Sequence, residues 1–181
     1  MKVSKEQMAE NRGRILTEAG RLFRDRGFDA VSVAEIMKAA GLTHGGFYGH
    51  FASKDDLIAQ SLGHAMAHQG ADASHGFAGF LEAYLSPRHR DAPDRGCPTA
   101  ALAGDIRRQT TEARAAMSQG LQDQIGRLTE TLAAEGAPDP RRAAIGAWSA
   151  AVRAMILARA VDDPALSDEI LEETRRWMLE G

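Results

Sequence analysis

The sequence predicts an all-α protein of about nine helices, and three observations carry that prediction. Apolar residues recur at three- and four-residue spacing along most of the chain, with no strand-like alternation. Helix start and stop signals punctuate those runs. The composition is 44% hydrophobic but only 6% aromatic, with abundant alanine, the strongest helix former.

The elements follow in order. Ile15, Ala19, Leu22 and Phe23, with Arg14, Glu18 and Arg21 between them, make one amphipathic helix over residues 5–26, stopped by Gly27. Ser32 and Glu35 form a capping box that opens a short helix with Val33, Ile36 and Ala40 inward. Gly41 stands where a helix end needs a left-handed residue. Thr43 is a second N-cap, and Ser53 with Asp56 marks a third start. The helix from Lys54 turns Leu57, Ile58, Leu62 and Met66 inward. Further on, Phe77, Phe80, Leu81 and Tyr84 predict a helix ending near Pro87, and residues 86–96 read as a polar loop. Pro98 begins a helix reaching about Arg108. Met117, Leu121, Ile125, Leu128 and Leu132 share one face of a long helix ending near Gly136. Asp139-Pro140 and Asp163-Pro164 start the last two helices.

Composition bounds the function. A single cysteine, Cys97, excludes an internal disulfide. The first residues hold no apolar signal segment, and residues 143–161 carry Arg153 at their centre, costly in a bilayer by about 2.5–3.5 kcal/mol. A buried helix and a cytoplasmic protein without membrane contact are expected. Residues 1–60 hold nine Lys/Arg against eight Asp/Glu, and the remainder thirteen against seventeen, which permits a nucleic-acid partner at the N-terminal end. No phosphate loop, Cys-x-x-Cys pair or nucleophile elbow is present, so no enzyme and no cofactor is expected; a hydrolase assembled from scattered Ser, His and Asp is the weaker alternative.

The segment from Ala39 to Leu57 gathers Gly45, Gly46, Gly49, His44, His50, Phe47, Phe51 and Tyr48 between strongly helical stretches. Glycine costs about 1 kcal/mol inside a helix, so helix stability did not select this segment. Two short helices joined by a tight glycine turn are a helix-turn-helix pattern. In a major groove about 12 Å wide, small residues let the backbone approach the sugar-phosphate walls. Thr43 and His44 at the exposed start can reach base edges, Tyr48 and His50 offer polar tips, and Phe47 and Phe51 face inward. Lys54 is a cation at a helix start, where the dipole favours an anion such as phosphate.

Ile15-Leu16, Ala19, Leu22-Phe23, Gly27-Phe28, Val31-Ser32-Val33, Ile36, Ala39 to Thr43, Phe47-Tyr48, His50-Phe51 and Lys54 with Leu57 resemble, in order and spacing, the N-terminal domain of the TetR family of transcriptional regulators. The resemblance covers residues 14–62. It implies a DNA-binding domain at 1–53 and a ligand-binding and dimerisation domain at 54–181. It also implies a homodimer on a palindromic double-stranded operator, released by a small-molecule inducer. Ser32, Thr43, Gly45, Tyr48, His50 and Lys54 fall at DNA-contacting positions. Gly49 departs from the large aromatic or polar residue frequent in the family, which shifts readout towards His44.

The remainder is less specific. Phe77, Phe80, Tyr84, Leu102, Met117, Leu121, Trp148, Val152 and Met155 are pocket candidates; being nearly all apolar, they favour an apolar or aromatic ligand. Ala147, Ala151, Ala154 and Ala158 form a smooth stripe beside a bulky one, suited to close packing against a second subunit. The resemblance adds Ile170 and Trp177 of the last helix to that interface. His64 and His68 lie one turn apart, with Asp72 beyond, a spacing that can share a metal, but no further ligands are evident and no metal is expected. Cys97, as the N-cap before Pro98 and with Arg95 nearby, is a candidate reactive thiol. Control by Cys97 modification or by a protein partner is the alternative to a pocket ligand.

Overall fold

The computed structural model describes residues 4–68 and 76–180. The all-α expectation holds: nine α-helices and two 3-10 turns, with no strand, occur among the described residues. The chain divides into two compact units, Met1–His68 with Ala101–Gly120, and Gln69–Ala100 with Leu121–Gly181.

In the first unit, α1 spans Lys5–Arg26, capped by Ser4, whose hydroxyl accepts the Gln7 N–H at 3.1 Å. Gly27 ends it at φ +79°. Ile15, Ala19, Leu22 and Phe23 are buried as their spacing requires, with Phe23 meeting Phe28 edge to face at 5.3 Å. The capping box opens α2, Val33–Ala39. Its end is a Schellman motif: Leu42 N–H donates to the Met37 carbonyl at 2.8 Å and Gly41 N–H to Lys38 at 3.0 Å. Gly41 takes the φ of +69° that this closure needs.

His44–Gly49 is a 3-10 turn rather than the second α-helix expected of this stretch. Three glycines in six residues supply too little helix propensity to complete an α-turn, and burial holds the segment instead. Phe47 and Phe51 are 1% and 2% exposed and stack at 5.8 Å. Truncating Phe47 to alanine should cost about 3–5 kcal/mol by the general size of such cavities, read by chemical denaturation. Then α3 runs Lys54–Ala67, with Ser53 accepting the Asp56 N–H at 3.0 Å. It packs on α1 where Gly20 faces Ser61 and Ala65.

The later helices are α4 (Gly76–Tyr84), α5 (Pro87–Arg90), α6 (Pro98–Ile106), α7 (Thr111–Ala134), α8 (Pro140–Ala160) and α9 (Pro164–Glu180). Unit boundaries fall within α6 and α7. Residues 86–96 contain more order than a polar loop. Ser86 caps α5, with Pro87 first in the helix, and Pro93–Arg95 forms the other 3-10 turn. α6 stops at Ile106, two residues short of the expected end.

In the second unit, α8 packs on α9. Length and apolar composition alone would let α8 cross a membrane, but Ala144, Trp148, Ala151, Ala154, Met155 and Ala158 are buried in this unit's core. That placement corrects the expected interface: Ala151, Ala154 and Ala158 are 0%, 3% and 2% exposed within one chain, and Ala147 is half-buried. They lie on the same side of α8 as Trp148 and Met155, so stripes that look distinct in sequence form one inward face. The apolar side chains left open are Ile145, Ile156 and Leu157 of α8 and Leu166, Trp177 and Leu179 of α9. Ile170 is half-buried.

Candidate nucleic-acid interface

The polar residues of the helix-turn-helix stand on one framework. Ser32, Thr43, His44, Gly45, Gly46, Tyr48 and Gly49 are exposed, and His50 and Lys54 half-buried. Tyr48 is 74% exposed, an unusual amount for an aromatic whose neighbour Phe47 is fully buried. Thr43 adopts N-cap backbone angles without a side-chain cap bond, so its hydroxyl is not committed to the turn. A shallow depression of about 380 Å³ lies beside the turn, lined by Met8, Met37, Thr43, Gly45, Gly46 and Gly49 among others.

The glycines separate into two kinds. Gly41 needs its left-handed φ. Gly45 and Gly49 do not have positive φ, and a Cβ built on either would have nothing within 4 Å. At Gly46 it would make only ordinary contact with Met37 Cε at 3.7 Å. Nothing among the described residues demands glycine at positions 45 and 49.

Ser32 is tied down: its N–H and hydroxyl both donate to the Glu35 carboxylate, at 2.9 and 2.8 Å. Those bonds, the backbone one first, together with Arg26 at 3.1 Å, lower the Glu35 pKa to about 2. Lys54 has no ion-pair partner among the described residues, and Asp56 nearby serves the chain: it accepts from Gln60 at 2.6 Å and from Ala52 N–H at 3.0 Å, bonds that lower its pKa. Burial, and then the charge of Arg12, lower the pKa of His50.

Two residues escaped sequence reasoning. Arg12 donates to the His50 carbonyl and to Gln60 Oε1, and its guanidinium lies 4.3 Å from the centre of the Phe51 ring. Arg14 donates to the Ala40 carbonyl beside Gly41. In the sequence both look like ordinary charges on the solvent side of α1; only contacts 26 to 48 residues away reveal them.

The pocket candidates fall in two places. Leu102 and Met117 are buried in the first unit. In the second, Phe80, Tyr84, Trp148 and Met155 share one core, with Phe77, Leu121 and Val152 partly buried against it. Tyr84 meets Trp148 at 5.3 Å, Phe80 at 5.6 Å and His89 at 4.6 Å. Tyr84 Oη and Trp148 Nε1 are buried with no hydrogen-bond partner among the described residues. Burial drives the Tyr84 pKa well up, and the Cys97 thiol adds to this by proximity while missing the geometry of a hydrogen bond. An open cavity of about 720 Å³ in the same unit is lined by Phe77, Leu132, Pro138, Arg142, Trp177 and Met178 among others.

An orphaned donor costs stability. Tyr84→Phe should therefore raise the melting temperature of the ligand-free protein by a few degrees, about 1 kcal/mol. Differential scanning calorimetry reads this; an unchanged or lower midpoint would show that the phenol has a partner.

Cys97 occupies the cap expected of it: Ala100 N–H points at Sγ at 3.5 Å, and Cys97 N–H donates to His89 Nε2 at 2.9 Å. His89 Nδ1 lies 2.7 Å from the Tyr84 carbonyl, which fixes the proton on Nδ1. The room expected for a reagent is absent. Cys97 is 1% exposed, and a Cβ at Gly96 would meet the His89 ring at 2.8 Å and Arg159 at 3.0 Å. The His64 and His68 rings meet at 4.2 Å, tilted by 40°, with His64 Nε2 3.4 Å from Thr17 and His68 Nδ1 2.7 Å from the His64 carbonyl. Asp72 lies outside the described residues, and no group of three or more His, Cys, Asp or Glu able to hold a metal occurs among the described ones.

Residues 15–60 match a family model described as bacterial regulatory proteins, tetR family. The HTH-type transcriptional regulator AcrR of Shigella flexneri is 44% identical over 57 residues, 32% of this chain and 26% of that protein. The HTH-type transcriptional repressor KstR2 of Mycobacterium tuberculosis is 33% identical over 88 residues, 49% of this chain and 36% of that one. The match thus spans about a quarter to a third of these relatives' length. A transcriptional regulator of the TetR family from Agrobacterium tumefaciens superposes with a TM-score of 0.76 at 23% identity, over 96% of this chain and 97% of that one, a likeness of fold.

Proposed function

We propose that this chain, whose N-terminal helix-turn-helix domain belongs to the TetR family of bacterial regulatory proteins, is a transcriptional repressor that binds a palindromic operator as a homodimer in the cytoplasm and releases it on binding a small molecule. The observation that carries the DNA reading is the pair Gly45 and Gly49. No backbone angle of theirs and no neighbour among the described residues accounts for them, whereas a duplex pressed against the turn does. In this reading Thr43 and His44 at the start of that turn meet base edges, and Tyr48 within it and His50 and Lys54 beyond it meet phosphates.

The dimer reading rests on the exposed large apolar side chains Ile145, Ile156 and Leu157 of α8 and Leu166, Trp177 and Leu179 of α9, which a second subunit would cover. The ligand reading rests on the aromatic core around Tyr84 and Trp148. Its two unpartnered donors suit an aromatic molecule carrying hydrogen-bond acceptors.

Selection of bound duplexes from a random pool, followed by footprinting of the best one, tests the DNA function. An inverted repeat read in successive major grooves is expected; absence of any sequence preference would defeat it. A thermal-shift screen of small aromatic compounds against the protein tests the ligand. Stabilisation only by a protein partner would favour the alternative mode of control.

His50 adds a pH dependence. In the free protein its pKa lies below the ordinary imidazole value, so the ring is neutral near pH 7. A phosphate beside it raises that pKa. The affinity gained is therefore present at low pH and is lost as pH rises through the pKa of the bound state. Operator affinity should fall severalfold as the pH rises from about 6 to 8, and by about tenfold in all when the starting pH lies well below the pKa of the free ring, the effect of a phosphate that makes the imidazolium about ten times harder to deprotonate. Fluorescence anisotropy against pH measures it; a His50→Gln variant with the same slope as wild type would remove His50 from the contact.

A further inference from the structure

The reading turn is poor at holding its own shape. It is a single 3-10 stretch with three glycines, and its N-cap side chain makes no cap bond. Phe47 is the one side chain of the turn that is buried. Its C-terminal end is fixed from outside. Phe51 is buried, the His50 carbonyl receives Arg12, and the same guanidinium covers the Phe51 ring at 4.3 Å and reaches Gln60 on α3. One planar side chain thus ties α1, the end of the turn and α3 together. At the other end, Arg14 takes the Ala40 carbonyl where α2 closes on Gly41. Two arginines on α1 thus hold the stretch from Ala40 to His50 at its two ends, with the exposed Thr43, His44, Gly45, Gly46, Tyr48 and Gly49 between them.

We propose that Arg12 is a positioning residue for DNA recognition: it sets the angle at which His44, Tyr48 and His50 meet the duplex, without contacting DNA itself. This rests on the DNA-binding reading above. The guanidinium suits the task because its flat fork satisfies two acceptors while stacking on an aromatic face. Lysine offers neither the fork nor the stack. Because Arg12 spends two donors on the His50 carbonyl and Gln60 and lays its guanidinium against the Phe51 ring, its contribution should appear as orientation and not as phosphate neutralisation.

The experiment compares wild type, Arg12→Lys, Arg12→Gln and Gln60→Ala in the full-length chain, with Lys54→Ala as the phosphate-contact control. Anisotropy titrations over a range of salt use the duplex selected by wild type and an unrelated duplex of equal length. Loss of Arg12 should lower affinity for the selected duplex by about 10- to 100-fold, the effect of one or two charge-assisted hydrogen bonds. Affinity for the unrelated duplex and the salt slope should hold. Arg12→Lys and Gln60→Ala should fall between. Arg12→Lys keeps the charge and carries the test if Arg12→Gln does not fold.

Equal losses on both duplexes, with the slope reduced by about 0.9 as for a lost phosphate contact, would make Arg12 a DNA ligand and overturn the proposal. So would unchanged affinity. A readout without DNA separates this from the functional reading: by NMR, His50 in Arg12→Gln should titrate at higher pH than in wild type. If wild type prefers no sequence but His50 shifts, the clamp stands and the DNA reading fails. If His50 does not shift, the clamp is absent.

Discussion

Ile156→Glu and Leu157→Glu in α8 should each produce a folded monomer whose operator affinity is lower by about a thousandfold or more, the low end of the gap between specific and non-specific binding. Both side chains are over 40% exposed, at 43% and 47%, so the glutamate costs the isolated chain little. In a dimer closed through this face the same carboxylate would be buried without a partner, a penalty of several kcal/mol per subunit and incurred twice by symmetry. A monomer then engages one half-site and loses the linked second contact. Ala151→Glu is the necessary contrast. Ala151 is 0% exposed beside Trp148 and Met155, so a glutamate there should unfold the second unit instead of freeing monomers. Light scattering and circular dichroism together separate the outcomes. Folded dimers after Ile156→Glu and Leu157→Glu would move the interface elsewhere.

That contrast also marks how far the sequence could be read. Features written in four to six consecutive residues are legible. The Ser32–Glu35 capping box, the Gly27 and Gly41 closures and the Cys97–Pro98 helix start all stand where local chemistry requires them. Inward faces with polar opposite sides, as on α1, are equally clear. On α8 alanine, isoleucine and leucine occupy almost every face, so periodicity cannot choose which side turns inward; the bulk of Trp148 decides it, packed against Phe80 and Tyr84 of α4 in the core that Met155 shares. The arginine clamp was invisible for a different reason. Its partners lie on other elements, and an arginine that grips a carbonyl carries the same letter as one in water. The burial of Cys97 likewise depends on His89 and Arg159 arriving from distant positions.

Gly49→Ala should move stability and function in opposite directions. The backbone at Gly49 avoids the left-handed region, and an added Cβ would meet open space, so the folded chain accepts alanine without strain. Restricting the unfolded chain should then stabilise the first unit by about 0.4–1 kcal/mol. The same methyl would project where the turn meets a duplex. A major groove about 12 Å wide barely admits a helical element, and pushing the backbone outward lengthens every neighbouring contact, those of His44, Tyr48 and His50 included. Losing two or three such contacts should weaken operator binding by about a hundredfold or more, at roughly 1 to 3 kcal/mol each. Gly45→Ala should behave alike, since its surroundings are equally open. Gly41→Ala should not: it destabilises because φ +69° strains any side chain, and it weakens DNA binding only through misfolding. Thermal melting and anisotropy on the three variants read both signs at once. If Gly49→Ala and Gly45→Ala keep wild-type affinity while gaining stability, the glycines are not the surface that approaches DNA.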